Sequence, residues 1–221
     1  MKIVNYTLKK ASSGIFVVVV EDSYERAMLF LRCQEFYESP FPQFKGKHFD
    51  VFEYMNYYKK QNVFGYFSYP KDWAGFNVPG DIVEECTNYA LDDNSDISST
   101  PYDYVMKEII DTVKGQLQDE NRWYLIGVNG EEGRIMEHEI SHGLFYVNSE
   151  YKEKATSLVR SLPESVFNNM SHLILSMGYC EEVIDDEIQA YLSTGVTPSM
   201  SQIPGISNYC PLFESNLKGF L

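Results

Sequence analysis

His138, Glu139 and His142 are the residues whose types and spacing point most directly to chemistry. The two histidines are four positions apart in the run His138-Glu139-Ile140-Ser141-His142. On a helix that spacing puts both imidazoles on one face, one turn apart. Two imidazoles so placed can ligate one ion at about 2.0–2.1 Å per bond, and zinc is the expected metal. Glu139, beside the first histidine, is placed to be the base that takes a proton from the attacking water. The chain has only four histidines, and two of them fall in this motif. Small Ser141 and Gly143 flank the second one and would let another element come close.

A catalytic zinc with an open water position needs a third protein ligand. A histidine six residues past His142 would complete one known helical pattern, but that position is Asn148. The later candidates are His172, Glu164, Glu181, Glu182, Asp185, Asp186 and Glu187. His172 lies within an apolar helical stretch, and His48 follows a loop-like Lys45-Gly46-Lys47. Asp186 could instead hold a histidine tautomer from behind. No Glu-Gly-Cys segment precedes the motif, so a cysteine ligand of the peptide deformylase kind is not expected.

The segment Asp185-Asp186-Glu187-Ile188-Gln189-Ala190-Tyr191, coming after the His-Glu-x-x-His helix, resembles the gluzincin class of zinc metallopeptidases. The likeness covers about residues 138–192 and rests on these few positions. It implies that Glu187 is the third zinc ligand, with His138 and His142 the first two. It also implies a zincin-like α+β fold and cleavage of a peptide or amide bond. Tyr191 is one helical turn past Glu187, where its hydroxyl could orient that carboxylate or steady an oxyanion. A non-catalytic zincin-like module that binds metal or another protein is the alternative. Two histidines and a carboxylate would also suit non-haem iron, but a base between the histidines serves hydrolysis.

The elements that must carry these residues are legible in outline. Residues 6–20 read as a hairpin, with a turn at Ser12-Ser13-Gly14 and a β-branched second strand. Asp22 or Ser23 caps a helix to about residue 37, ended by Pro40 and Pro42. Residues 49–60 and 81–91 look helical, 64–69 reads as a strand or an aromatic loop, and 70–79 looks like a loop. Thr100-Pro101 opens a helix to about residue 117, with Asp103 in its first turn. Residues 122–128 form a strand, and 131–146 is the helix of the motif. Helices follow over 149–161, 163–177 and 183–192. The tail from 197 has little periodicity and reads as a surface wrap. The expected architecture is a small N-terminal sheet with helices and a mainly helical C-terminal half. It is one domain over 1–221, with lobes at 1–120 and 121–221.

With 221 residues, 44% of them hydrophobic, the chain can bury a substantial core. Its 17 tyrosines and 14 phenylalanines must line that core or a groove. The net charge of −14 argues against nucleic acid as a partner; it would attract a cationic peptide or protein substrate, and it equally serves solubility alone. No apolar run is long enough to span a membrane, and no membrane partner is expected. The four cysteines, at 33, 86, 180 and 210, form no Cys-x-x-Cys pair. They read as reduced thiols of a cytoplasmic protein.

Overall fold

The computed structural model describes residues 4–117, 122–130 and 133–221. The protein is α+β and divides into two compact units, 1–131 and 132–221. No helix among the described residues is long and apolar enough to cross a membrane.

The first unit runs β1 (Thr7–Ser12), β2 (Ile15–Val19), α1 (Ser23–Glu38), α2 (Val51–Gln61), α3 (Tyr69–Asp72), β3 (Phe76–Pro79), α4 (Gly80–Leu91), α5 (Pro101–Gln116) and β4 (Tyr124–Val128). The strands form one sheet in the order β1-β2-β4-β3. β1 and β2 make an antiparallel hairpin, whose turn uses Gly14 at φ +71°. β2 then pairs in parallel with β4, Ile15 opposite Tyr124 through Val19 opposite Val128. β3 closes the far edge, antiparallel to β4. Ile15, Phe16, Val17 and Val18 are all buried, as is the whole of β4. That is the unbroken apolar character expected of central strands covered on both faces.

Capping and close packing set α1 in place. Asp22 Oδ1 accepts from the backbone N–H groups of Tyr24 and Glu25, at 2.8 and 2.9 Å. A cap of this kind contributes about 1 kcal/mol. Every residue from Arg26 to Glu35 is buried. The Phe30 ring reaches β4 because position 127 is glycine; a Cβ there would lie 2.4 Å from the ring. Arg32 grips Asp103 on α5 with two bonds, Nε to Oδ1 at 2.8 Å and Nη2 to Oδ2 at 3.0 Å. Asp103 Oδ2 also accepts from the Thr100 N–H at 2.7 Å and the Thr100 hydroxyl at 2.8 Å. The cap of α5 is thereby tied to the buried face of α1.

The aromatic-rich middle packs as core. Tyr54 and Tyr69 are fully buried, and Phe30 and Phe76 stack with ring centres 5.4 Å apart. Of the two readings open for 64–69, the aromatic loop holds over 64–68. The loop expected over 70–79 changes: residues 69–72 make a single helical turn. Within the expected loop over 70–79, Phe76–Pro79 is an edge strand. Four residues give almost no period to detect. The terminal Pro79, which has no N–H to donate, is tolerated because the strand lies at an edge.

The second unit contains α6 (Arg134–Val147), α7 (Ser149–Arg160), α8 (Glu164–Ser176), a 3-10 turn Glu181–Val183, α9 (Ile184–Thr194), 3-10 turns Met200–Gln202 and Ile206–Asn208, and α10 (Cys210–Lys218). α9 is its axis, packed against α6, α7, α8 and α10. Val159, Met170, Ile174, Ile188, Leu192 and Phe213 meet in its core. The expected surface tail instead ends in α10, which buries Phe213 and Leu217. Those two residues are one turn apart, with Pro211 in the first turn where its missing N–H costs nothing. The unit boundary after residue 131 leaves β4 with the first unit, because its pairing partners are β2 and β3.

Candidate metal centre

α6 and α9 bring the candidate ligands together within the second unit. α6 buries Glu139, Ile140, Ser141, His142, Gly143 and Leu144, and leaves His138 half-buried. Ser141 is fully buried and turns its hydroxyl inward to the His138 carbonyl, 2.7 Å away. α9 begins with Asp185, Asp186 and Glu187 in its first turn, where the positive end of the helix dipole favours carboxylates. Glu187 is nonetheless buried, at 6% exposure, so its charge needs a counterpart.

That counterpart lies across the helix interface. His138 Nε2 and His142 Nε2 are 3.2 Å apart, and Glu187 Oε1 is 3.7 Å from His142 Nε2. The ligand atoms of His138, His142 and Glu187 all lie within 4.8 Å of one another. Tetrahedral ligands at about 2.05 Å from zinc are roughly 3.3 Å from each other. Two measured separations bracket that figure, and the third lies within 4.8 Å.

The outer ring nitrogens are already engaged. His138 Nδ1 lies 3.2 Å from Thr194 Oγ1, whose own proton goes to the Ala190 carbonyl at 2.8 Å. Thr194 therefore accepts, and His138 donates from Nδ1. His142 Nδ1 lies 3.0 Å from Asp186 Oδ1. That same oxygen accepts from Gln189 Nε2 at 2.9 Å, and Gln189 Oε1 accepts from the buried Tyr151 hydroxyl at 2.6 Å. With both Nδ1 atoms donating, both Nε2 lone pairs face inward. Partners of this type fix ring orientation and tautomer at metal sites. Two lone pairs pointed at each other over 3.2 Å need a proton or a cation between them.

Electrostatics agree with that need. Burial and the neighbouring His142 push His138 down to about 3, so it is neutral at physiological pH. Burial also disfavours charge on His142, but Asp186, Glu187 and Glu139 outweigh it and hold His142 well above the ordinary histidine range. Without a cation, His142 keeps a proton at neutral pH. A divalent ion would take that proton's place.

Two tyrosines complete the surroundings. The Tyr191 ring is 4.9 Å from the His138 ring. Burial, then Glu187, raises the Tyr191 hydroxyl above its ordinary value. Tyr179, between α8 and α9, is raised by burial first, then by the charge of Glu187, with its hydroxyl directed toward Tyr191 and a further contribution from Glu139. Sequence reasoning singled out Tyr191 and missed Tyr179, which stands in no motif and follows Gly178 at the end of α8.

The rival ligands lie elsewhere. His172 is exposed on α8, and Glu164, Glu181 and Glu182 are exposed as well. His48 belongs to the first unit, its ring stacked 3.7 Å from that of Tyr89. Asp186 stands behind His142 as its hydrogen-bond partner. Among the described residues, His138, His142 and Glu187 form the one group of three or more ligating side chains close enough to hold an ion. No protein-family model, no curated protein and no solved structure matches this chain, so the chemistry of the site itself carries the functional reading.

Proposed function

We propose that the chain is a zinc-dependent hydrolase of peptide or amide bonds, zincin-like in its second unit, with His138, His142 and Glu187 as the zinc ligands. One observation carries this reading. Two inward Nε2 lone pairs and a buried carboxylate converge within 4.8 Å, and Thr194 and Asp186 hold the rings from behind. Bound zinc would supply a Lewis acid for the substrate carbonyl and make a water acidic enough to ionise near neutral pH.

The remaining work belongs to side chains. Glu139 follows His138 in the chain and is 9% exposed. It accepts the proton of the water that attacks the carbonyl carbon, then delivers it to the leaving nitrogen as the C–N bond breaks. Tyr191 and Tyr179 stay protonated, because burial and nearby carboxylates raise both hydroxyls. Tyr179 directs its proton toward Tyr191, which leaves the Tyr191 hydroxyl as the donor for the oxygen on which negative charge develops. The net charge of −14 favours cationic peptides.

The test is Glu139→Gln. It keeps the size of the side chain and removes its basicity. The variant is expected to bind zinc as the parent does and to lose turnover of a peptide library by about a hundredfold or more. Turnover that survives would remove Glu139 from the mechanism. Zinc bound by a parent with no turnover on any peptide would favour a non-catalytic module.

A further inference from the structure

Val63 and Phe64 stand at the tip of the turn after α2, 93% and 80% exposed. A built turn holds them out. Asn62 Oδ1 accepts from the Phe64 N–H at 2.8 Å, and the Asn62 carbonyl accepts from the Gly65 N–H at 2.9 Å. Gly65 closes the turn at φ +68°, a conformation that disfavours other residues. Asn62 Nδ2 donates to Ser68 Oγ at 2.7 Å. Below that, the Ser68 and Tyr58 hydroxyls both donate to Asp72 Oδ2, at 2.6 and 2.7 Å. These bonds keep Phe64 from folding back onto the core. A Cβ added at Gly65 would meet nothing within 4 Å, so the tip stands clear.

Two more exposed aromatics accompany the tip. Tyr66, 47% exposed, stacks on Phe64 with ring centres 6.3 Å apart, and Trp73, 37% exposed, lies further along the chain. Exposed Lys59 and Lys60 precede the tip in the chain, and exposed Lys71 follows it. Between 59 and 73 the only acid is Asp72, and one of its oxygens is engaged by two hydroxyls. This stretch is thus basic in a chain of net charge −14. Charges more than about 8 Å away are largely screened at physiological ionic strength, so the local basic stretch counts for more at this turn than the net charge of the chain.

We propose that this turn docks the protein on an anionic membrane surface. Val63 and Phe64 enter the boundary of the acyl chains, Tyr66 and Trp73 lie at headgroup level, and Lys59, Lys60 and Lys71 pair with anionic headgroups. An apolar tip, amphipathic aromatics and lysines together form an interfacial anchor. No spanning segment is needed, and the docking does not depend on the metal centre. A small tip that stands clear suits a deformable lipid surface better than the broad matching face a protein partner needs.

The test is sedimentation of the full chain with vesicles of phosphatidylcholine alone, or of phosphatidylcholine with phosphatidylserine. Trp73 is exposed and Trp123, the other tryptophan, is buried, so quenching by brominated lipid reports mainly on the tip. The protein is expected to bind only the phosphatidylserine vesicles, less so as salt rises, with its fluorescence quenched. Val63→Ser with Phe64→Ser is expected to weaken binding roughly tenfold or more. Each Lys59→Gln or Lys60→Gln change is expected to weaken it about fivefold. Failure to bind phosphatidylserine vesicles would overturn the proposal, as would binding that the double variant retains. Self-association that Phe64→Ser abolishes, without vesicle binding, would assign the tip to a second copy of the chain.

Discussion

Removing the carboxylate behind His142 separates a built metal site from a coincidental one. Asp186 Oδ1 accepts from His142 Nδ1 at 3.0 Å and from Gln189 Nε2 at 2.9 Å. Asp186→Ala deletes both bonds, leaves the Gln189 amide without that acceptor, and frees His142 to rotate or change tautomer. Loss of such a partner lowers metal affinity by about 10–100-fold, equivalent to roughly 1.4–2.7 kcal/mol. Asp186→Asn keeps an oxygen that can accept both bonds and removes only the charge. Charge roughly doubles the strength of a hydrogen bond, so the amide variant is expected to fall between parent and alanine variant. The assay is zinc competition against a chromogenic chelator at pH 7, beside a thermal melt to show that each variant folds. A folded Asp186→Ala protein that binds zinc within about threefold of the parent would refute the reasoning, because outer partners of real ligands count for more than that.

Two pH effects follow from the buried groups. His142 is held protonated in the metal-free protein, so zinc binding at neutral pH is expected to release about one proton, and affinity should fall as pH falls further below the His142 pKa. Calorimetry in two buffers of different ionisation enthalpy counts that proton; a count near zero would place a neutral His142 in the metal-free site. Burial raises Glu35 above the ordinary carboxylate value, against weaker opposition from Tyr54, Ser39 and Tyr69. A raised folded-state pKa means that the stability linked to Glu35 is full below the unfolded value of about 4.3 and is lost as pH climbs through the folded value. Glu35→Gln should therefore melt at a higher temperature than the parent at pH 7, and the gap should shrink toward pH 4; a gap that widens in acid would reverse the sign.

Local chemistry was what the sequence made readable. Asp22, Thr100 and Pro101 announce helix starts because a cap acts within three residues. His138 and His142 share a face because four residues make about one turn. Glu187 was singled out among several later acids by the resemblance to the gluzincin class, and Asp186 was a candidate partner for a histidine. What stayed hidden depends on contacts distant in sequence. Tyr151 and Gln189 are 38 residues apart, and only the packing of α7 on α9 joins them. Tyr179 enters the site through the path of the chain between α8 and α9, which has no period to read. Phe76–Pro79 is a strand only because β4 lies beside it. α10 did carry a signal, Phe213 and Leu217 one turn apart, obscured by the glycines and prolines before it.

The most direct test of the metal reading is the zinc content of the purified protein and of its His138→Ala and Glu187→Ala variants after zinc is supplied and excess removed. One zinc per chain in the parent, lost in both folded variants, is the expected result. A parent that retains no zinc, or a folded Glu187→Ala variant that retains it fully, would contradict the ligand set on which the proposed function stands.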